Sequence, residues 1–248
     1  MKISVFNGSP RGKESNSAVI CRWLTNQEEA IPRKDEQGVQ ADLGGQTDSG
    51  SNSQHEPHDI QTHIVRQTDR HEEYVAHMAV SHKVIMVFPL YADGMPAIVM
   101  NLFEEMYKNK AALKGTEFLF VVHSGFPEAI HSFGVRDYLT RFTEKIGGKL
   151  GHVIIYGGSE ATRLIPENNQ KKKRLAFNHI GAAFMAGESI PPADHQKLMK
   201  PIRLSKPVQF IFKLMSKTKL VKTYWDNNLK RNNAFEDRFA QPYKNNEK

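Results

Sequence analysis

Two rhythms of apolar and polar positions run through the first three quarters of the chain. Lys2 to Phe6 reads as a short strand. A loop of Gly, Ser, Pro, Arg and Lys follows, then a helical stretch from Asn16 to Asn26 with Ala18, Val19, Cys21, Trp23 and Leu24 as buried positions. The pattern breaks after Pro32. Asp35 to His58 is dominated by Asp, Gln, Gly, Ser and His, with Val39, Ala41 and Leu43 as its scattered apolar residues, and reads as an exposed, mobile insertion. Order resumes with a strand over Ile60 to Val65 and a helix from Asp69, an N-cap residue with Glu72 three positions on, to about Ser81. Val84 to Leu90, VIMVFPL, is apolar without alternation, as a central parallel strand buried on both faces must be. Pro and Gly in YADGMP stop it, and a helix with Pro at its start runs from Pro96 to Lys108. Phe118 to Val122 is a fourth strand and Gly134 to Ile146 a helix. Val153 to Tyr156 is a fifth strand, before a helix over roughly 169–186.

Five strands alternating with helices predict an α/β fold, a doubly wound five-stranded parallel sheet of the flavodoxin-like or Rossmann kind. Residues 187–248 do not continue the βα rhythm. Pro191 and Pro192 break the chain, and an amphipathic stretch around Pro207 to Leu220 leads to a polar, aromatic terminus. The domain expectation is therefore an α/β domain over 1–186 and a helical C-terminal extension over 187–248.

Composition narrows the picture. With 248 residues, 39% of them hydrophobic, the chain is long enough to bury a core. No run approaches the roughly 18 to 20 apolar residues of a membrane span. The N-terminal MKISVFNGSP has no apolar signal region, so a cytoplasmic location is expected. A lone cysteine, Cys21, forbids an internal disulfide and a cluster that needs about four Cys ligands. Redox chemistry would then need a bound organic cofactor. His55 and His58 in the insertion lack a second ligand pair at fixed spacing, and no metal is expected. The formal charge of +7 is uneven: residues 196–248 hold 13 Lys or Arg against 4 Asp or Glu, which leaves 1–195 at −2. The basic excess belongs to the tail.

In an open parallel sheet, ligands bind beyond the carboxyl ends of the strands. Three loops lie there: NGSPRGKESNS after the first strand, PLYADGMP after the third and HSGFPEAIHSFG after the fourth. The first lacks GxGxxG. It offers hydroxyls, amides and one Arg (Ser9, Arg11, Ser15, Asn16 and Ser17) immediately before a helix, a donor set suited to a terminal monophosphate. A polar turn capped by Ser15 or Asn16 is the competing reading. In the second loop Tyr91 offers an aromatic wall and Gly94 room for close approach. Gly157, Gly158 and Ser159 read as a turn more than as a ligand contact, His123 and Glu128 as structural more than as proton donors or acceptors, Cys21 as a small core residue, and Lys171 to Arg174 as a solvated face more than as a site for a further phosphate.

Taken in order, NGSPRGKESNS, VFPLYADGMP and VVHSGFPE resemble the corresponding segments of the NAD(P)H-dependent FMN reductases of flavodoxin-like fold, over roughly residues 1–186 apart from the insertion. The resemblance implies that Ser9, Arg11, Ser15, Asn16 and Ser17 hold the FMN phosphate. It also implies that Pro89, Leu90, Tyr91 and Asp93 border the isoalloxazine ring and ribityl chain, and that Ser124, Gly125 and Phe126 lie along the ring's other edge. It further implies NADH or NADPH as hydride donor, a small acceptor such as a quinone or another flavin, and a homodimer. Hydride passes directly between nicotinamide and flavin, so no catalytic side chain is required of the protein. An FMN-binding electron carrier and a flavin-free interaction module are the rival readings. For the tail, helices packed on the α/β domain or on a dimer partner are expected, with at most weak, salt-sensitive peripheral membrane contact and no nucleic acid.

Overall fold

The computed structural model describes residues 1–26, 58–216 and 218–241, so the insertion expected over 35–58 lies outside the described residues save for His58. Five strands, β1 (Lys2–Asn7), β2 (Asp59–Ile64), β3 (Lys83–Pro89), β4 (Glu117–His123) and β5 (Lys149–Tyr156), form one sheet in the order β2-β1-β3-β4-β5, every pair parallel. The helices between them are α1 (Asn16–Thr25), α2 (His71–Ala79), α3 (Ala97–Lys108), α4 (Phe133–Lys145) and α5 (Lys171–Ala186). This is the doubly wound flavodoxin-like order.

Burial follows from the side-chain period of two along each strand. On β3, Val84, Met86 and Phe88 point into one core with Val99, Leu102, Phe103 and Met106 of α3 and Leu139 and Phe142 of α4. Ile85 and Val87 point into the other, with Ile20 and Leu24 of α1 and Phe177 and Ile180 of α5. Covered on both faces, β3 is buried at every position, which is why it carries no polar alternation.

Three expectations change. The helix expected from Asp69 starts later: residues 68–70 form a 3-10 turn, Arg70 stands at the N-cap of α2 without a side-chain cap, and its guanidinium pairs with Glu73. Strand β5 begins four residues before Val153, because as an edge strand its first residues are exposed and need no apolar side chains. The third concerns residues 187–203. The chain divides into two compact units, 1–203 and 204–248. A sixth helix, α6 (Pro192–Met199), belongs to the first, with Asp194 and Leu198 buried. Asp194 binds His179 Nδ1 at 2.9 Å and Lys197 Nζ at 2.9 Å, and the Pro201 carbonyl accepts from Ala129 N–H at 3.0 Å. The α/β unit thus extends to Arg203 rather than ending at 186. The C-terminal unit contains α7 (Lys206–Met215) and α8 (Lys219–Arg231). No described helix is long and apolar enough to cross a membrane.

Candidate functional site

The chain leaves β1 for β2 on one side and returns to β3 on the other, so the carboxyl ends of β1 and β3 border the switch point. The loop after β1 is tied to β3 by Gly8 N–H donating to the Val87 carbonyl at 2.8 Å. Asn7, buried at the strand end, organises it. Its carbonyl accepts from Ser9 N–H at 3.0 Å, and its amide donates to Gly12 O at 2.9 Å and to Ser15 Oγ at 3.3 Å. Sequence reasoning passed over Asn7; a polar residue closing an apolar strand was the available signal.

The five residues expected at a phosphate gather here but divide the work. Ser15 is the N-cap of α1: its hydroxyl donates to Gly12 O at 2.6 Å and accepts from Ala18 N–H at 3.1 Å and from Asn7. One donor and two acceptors exhaust a hydroxyl, so Ser15 fixes the helix start. Asn16 donates to the Glu160 carbonyl at 3.2 Å and accepts from Arg163 N–H at 2.9 Å, which laces the loop after β5 to the first turn of α1. Ser17 is fully buried, its hydroxyl 2.7 Å from His123 Nε2. Ser9 is buried and accepts from Arg11 N–H at 3.3 Å. The Arg11 side chain is exposed and has no carboxylate partner among the described residues. The backbone N–H groups of Asn16 and Ser17, in the first turn, have no intrahelical acceptor. An exposed Arg four residues before the Ser15 N-cap, in the loop that leads into an open helix N-terminus, suits an anion.

His123 ends β4 and joins three loops. Its Nδ1 lies 2.9 Å from Ser159 Oγ while Nε2 meets Ser17. Burial drives its pKa down to about 3, so the ring is neutral. A neutral imidazole has one donor and one acceptor nitrogen, so one of the two serines accepts from it and keeps its own O–H for another acceptor. The reading of His123 as structural agrees with this geometry. Cys21 is also inert: burial raises its thiol to about 12.

The second loop is a two-residue turn in which Tyr91 and Gly94 exchange N–H to carbonyl bonds at 2.8 and 2.9 Å. Its central residues, Ala92 (φ 46°) and Asp93 (φ 60°), are both left-handed without being glycine. Each costs about 1–2 kcal/mol, and such strain concentrates at functional loops. Gly94 itself needs no special conformation; a Cβ there would stand 3.6 Å from its nearest neighbour. Leu90 is nearly buried and donates from its N–H to the His123 carbonyl at 2.8 Å. Pro89 closes β3, and Tyr91 projects its ring into solvent.

The third loop faces these two. Ser124 is buried, its hydroxyl accepting from Phe126 N–H at 3.0 Å and its N–H donating to Tyr156 O at 3.0 Å. Ser159 N–H donates to Ser124 O at 2.8 Å. Gly125 passes under the Glu160 carboxylate, where a Cβ would lie 3.0 Å from Oε2. Phe126 is exposed, 5.2 Å from the His131 ring, and His131 Nδ1 pairs with Asp93 Oδ1 at 3.2 Å. Asp93 thereby joins the second loop to the third. Glu160 and His131 went unnoticed in the sequence because their partners lie far along the chain. Of the run expected as a solvated face, Lys171 and Lys172 are exposed, whereas Lys173 and Arg174 are half-buried, Lys173 Nζ standing 5.1 Å from the Tyr156 ring and Arg174 3.7 Å from Glu167.

A family model described as NADPH-dependent FMN reductase matches residues 1–140. Among solved structures, the chain is similar to an NADPH-quinone reductase from P. pentosaceus, with a TM-score of 0.50 at 14% identity over 71% of this chain and 95% of that one. It is also similar to an FMN-dependent NADH-azoreductase from Bacillus anthracis, solved in complex with FMN, with a TM-score of 0.49 at 10% identity over 74% and 98% of the two chains. No curated protein matches the chain.

Proposed function

The chain belongs to the NADPH-dependent FMN reductase family, and from that premise we propose that it takes hydride from NADPH or NADH and reduces a small acceptor such as a quinone or a second flavin. The observation that carries this reading is the loop after β1 at the switch point of the sheet, where Arg11, exposed and without an ion pair among the described residues, precedes the open first turn of α1. The donor set fits a phosphate monoester. Ser9, Arg11 and the first-turn amides of Asn16 and Ser17 would hold the phosphate, with Ser15 and Asn7 fixing their positions. Tyr91 and Phe126 would supply apolar walls to the ring system, and Pro89, Leu90, Asp93, Gly94, Ser124 and Gly125 the backbone along its edges. Bound FMN supplies a carbon–nitrogen ring system that accepts a hydride and passes electrons on. The chain's own part is to bind, to orient and to exclude water.

Anaerobic mixing of the flavin-loaded protein with each nicotinamide tests the reading: loss of flavin absorbance is expected with at least one of them. Reduction by dithionite alone would favour an electron carrier between protein partners. Arg11→Ala is expected to weaken FMN binding by about 1.5–3 kcal/mol, roughly tenfold to a hundredfold in Kd by fluorescence titration. Unchanged affinity would move the phosphate elsewhere.

We further propose a homodimer in the cytoplasm. Between α3 and α4 runs a groove of about 770 Å³ in which Phe103, Tyr107, Tyr138 and Phe142 are flanked by Glu104, Asp137, Arg141 and Lys145. Aromatic rings ringed by both charge signs suit a self-complementary contact about a twofold axis. Tyr138→Glu is expected to yield a monomer in sedimentation equilibrium, and a parent that is itself monomeric would refute the dimer.

A further inference from the structure

We propose that α7 docks on an anionic bilayer surface, lying in its plane. The sequence of the helix, KPVQFIFKLM, divides unevenly around its axis. At about 100° per residue, Pro207, Val208, Phe210, Ile211, Phe212, Leu214 and Met215 cover an arc of about 200°, and Lys206, Gln209 and Lys213 share the narrow remainder. Among the described residues of the C-terminal unit none buries the apolar arc: Phe210, Ile211, Phe212, Leu214 and Met215 are between 47% and 68% exposed. Five large apolar side chains within two helical turns form a contiguous patch of the kind that marks an interaction surface.

Charge selects the occupant. Between Leu204 and Asp226, within the C-terminal unit, the sequence holds five Lys and not one Asp or Glu. Lys206 and Lys213, seven residues apart, stand one above the other on the polar face, where long aliphatic stems let the ammonium groups reach past the apolar arc to lipid phosphates. In α8, Trp225 is exposed as well, a residue type favoured at the membrane–water boundary. A second copy of the same patch would bring two positive surfaces together. A nucleic acid would use the lysines but leave the broad apolar arc in water. An anionic bilayer takes both: phosphates for the cations, and the acyl boundary for Phe, Ile, Leu and Met. At ten residues α7 is far too short to span, which fixes the contact as peripheral.

The test is co-sedimentation of the full chain with vesicles of about one third phosphatidylglycerol in phosphatidylcholine, against pure phosphatidylcholine, at physiological salt. Binding at least roughly tenfold stronger to the anionic vesicles is expected, with a blue shift of tryptophan emission. Phe210→Asp with Leu214→Asp, both at exposed positions, is expected to abolish it while leaving the circular dichroism of the α/β unit and FMN binding unchanged. Lys206→Glu with Lys213→Glu is expected to weaken it by about tenfold or more. No sedimentation with either vesicle overturns the proposal. So does binding that survives the Asp pair, self-association that the Asp pair abolishes in the absence of lipid binding, or retention on RNA in preference to vesicles. Since no arm depends on flavin reduction, failure here leaves the proposed reductase activity untouched, and the converse holds.

Discussion

Gly181→Ala is expected to destabilise the protein by about 3 kcal/mol or more, the upper range for overpacking a well-filled core. A Cβ at this position of α5 would lie 1.8 Å from the Leu24 carbonyl oxygen and 2.7 Å from its carbon. Both are backbone atoms of α1, so no rotamer change relieves the clash and the two helices must separate. Leu24 is one of the buried residues that seat α1 on the sheet, and the other end of that short helix carries Ser15, Asn16 and Ser17. The variant should therefore lose FMN affinity along with stability. Urea unfolding measures the first effect, and Gly134→Ala in α4, where a Cβ meets nothing within 4 Å, is the control that should be neutral or stabilising. Equal midpoints for the two variants would show that α1 and α5 tolerate separation.

His123→Ala is expected to cost on the order of 3 kcal/mol, because it opens a cavity and leaves the buried hydroxyls of Ser17 and Ser159 without their partner. The same ring makes stability depend on pH. In the unfolded chain it takes up a proton near pH 6.5, whereas in the folded one burial defers protonation to about 3. Between those values the unfolded state binds more protons, so stability falls as pH falls, by about 1.4 kcal/mol per pH unit and roughly 2 kcal/mol by pH 5 from this group. His63 and His195, each lowered to about 4 mainly by burial, act in the same direction. Unfolding free energies at pH 7.5 and pH 5 should differ more for the parent than for His123→Gln. An identical pH slope in the two would mean that the imidazole titrates freely in the folded protein.

Much of the fold was legible because its signals are local. Val84 to Leu90 announces a doubly covered strand in seven letters, and the polar loop before Asn16 announces a helix start. What escaped depends on distance along the chain. Pro191 and Pro192 reset the local pattern, but α6 behind them belongs to the α/β unit because Asp194 reaches His179 and Pro201 reaches Ala129, contacts that composition does not encode. At the site, residue types were legible and their roles were not. Ser15, Asn16 and Ser17 look interchangeable as donors, yet one caps a helix, one binds a loop 144 residues later, and one meets a histidine 106 residues away. The exposed face of α7 was visible as a pattern, whereas its lack of cover within its own unit needed coordinates.

The four strand-end loops after β1, β3, β4 and β5 are stitched to one another by the chain's own bonds. Leu90 and Ser159 donate backbone N–H groups to neighbouring strand ends, Asp93 holds His131, and Asn16 grips both Glu160 and Arg163. Fixing a loop residue costs about 1–2 kcal/mol of backbone entropy, and here that loss falls on the folding of the chain. A flavin entering such a framework has little left to order, so more of its contact energy remains as affinity. Mutations that loosen a stitch, Asn16→Ala for one, would then weaken flavin binding by raising the ordering cost of these loops, even where they remove no contact to the flavin.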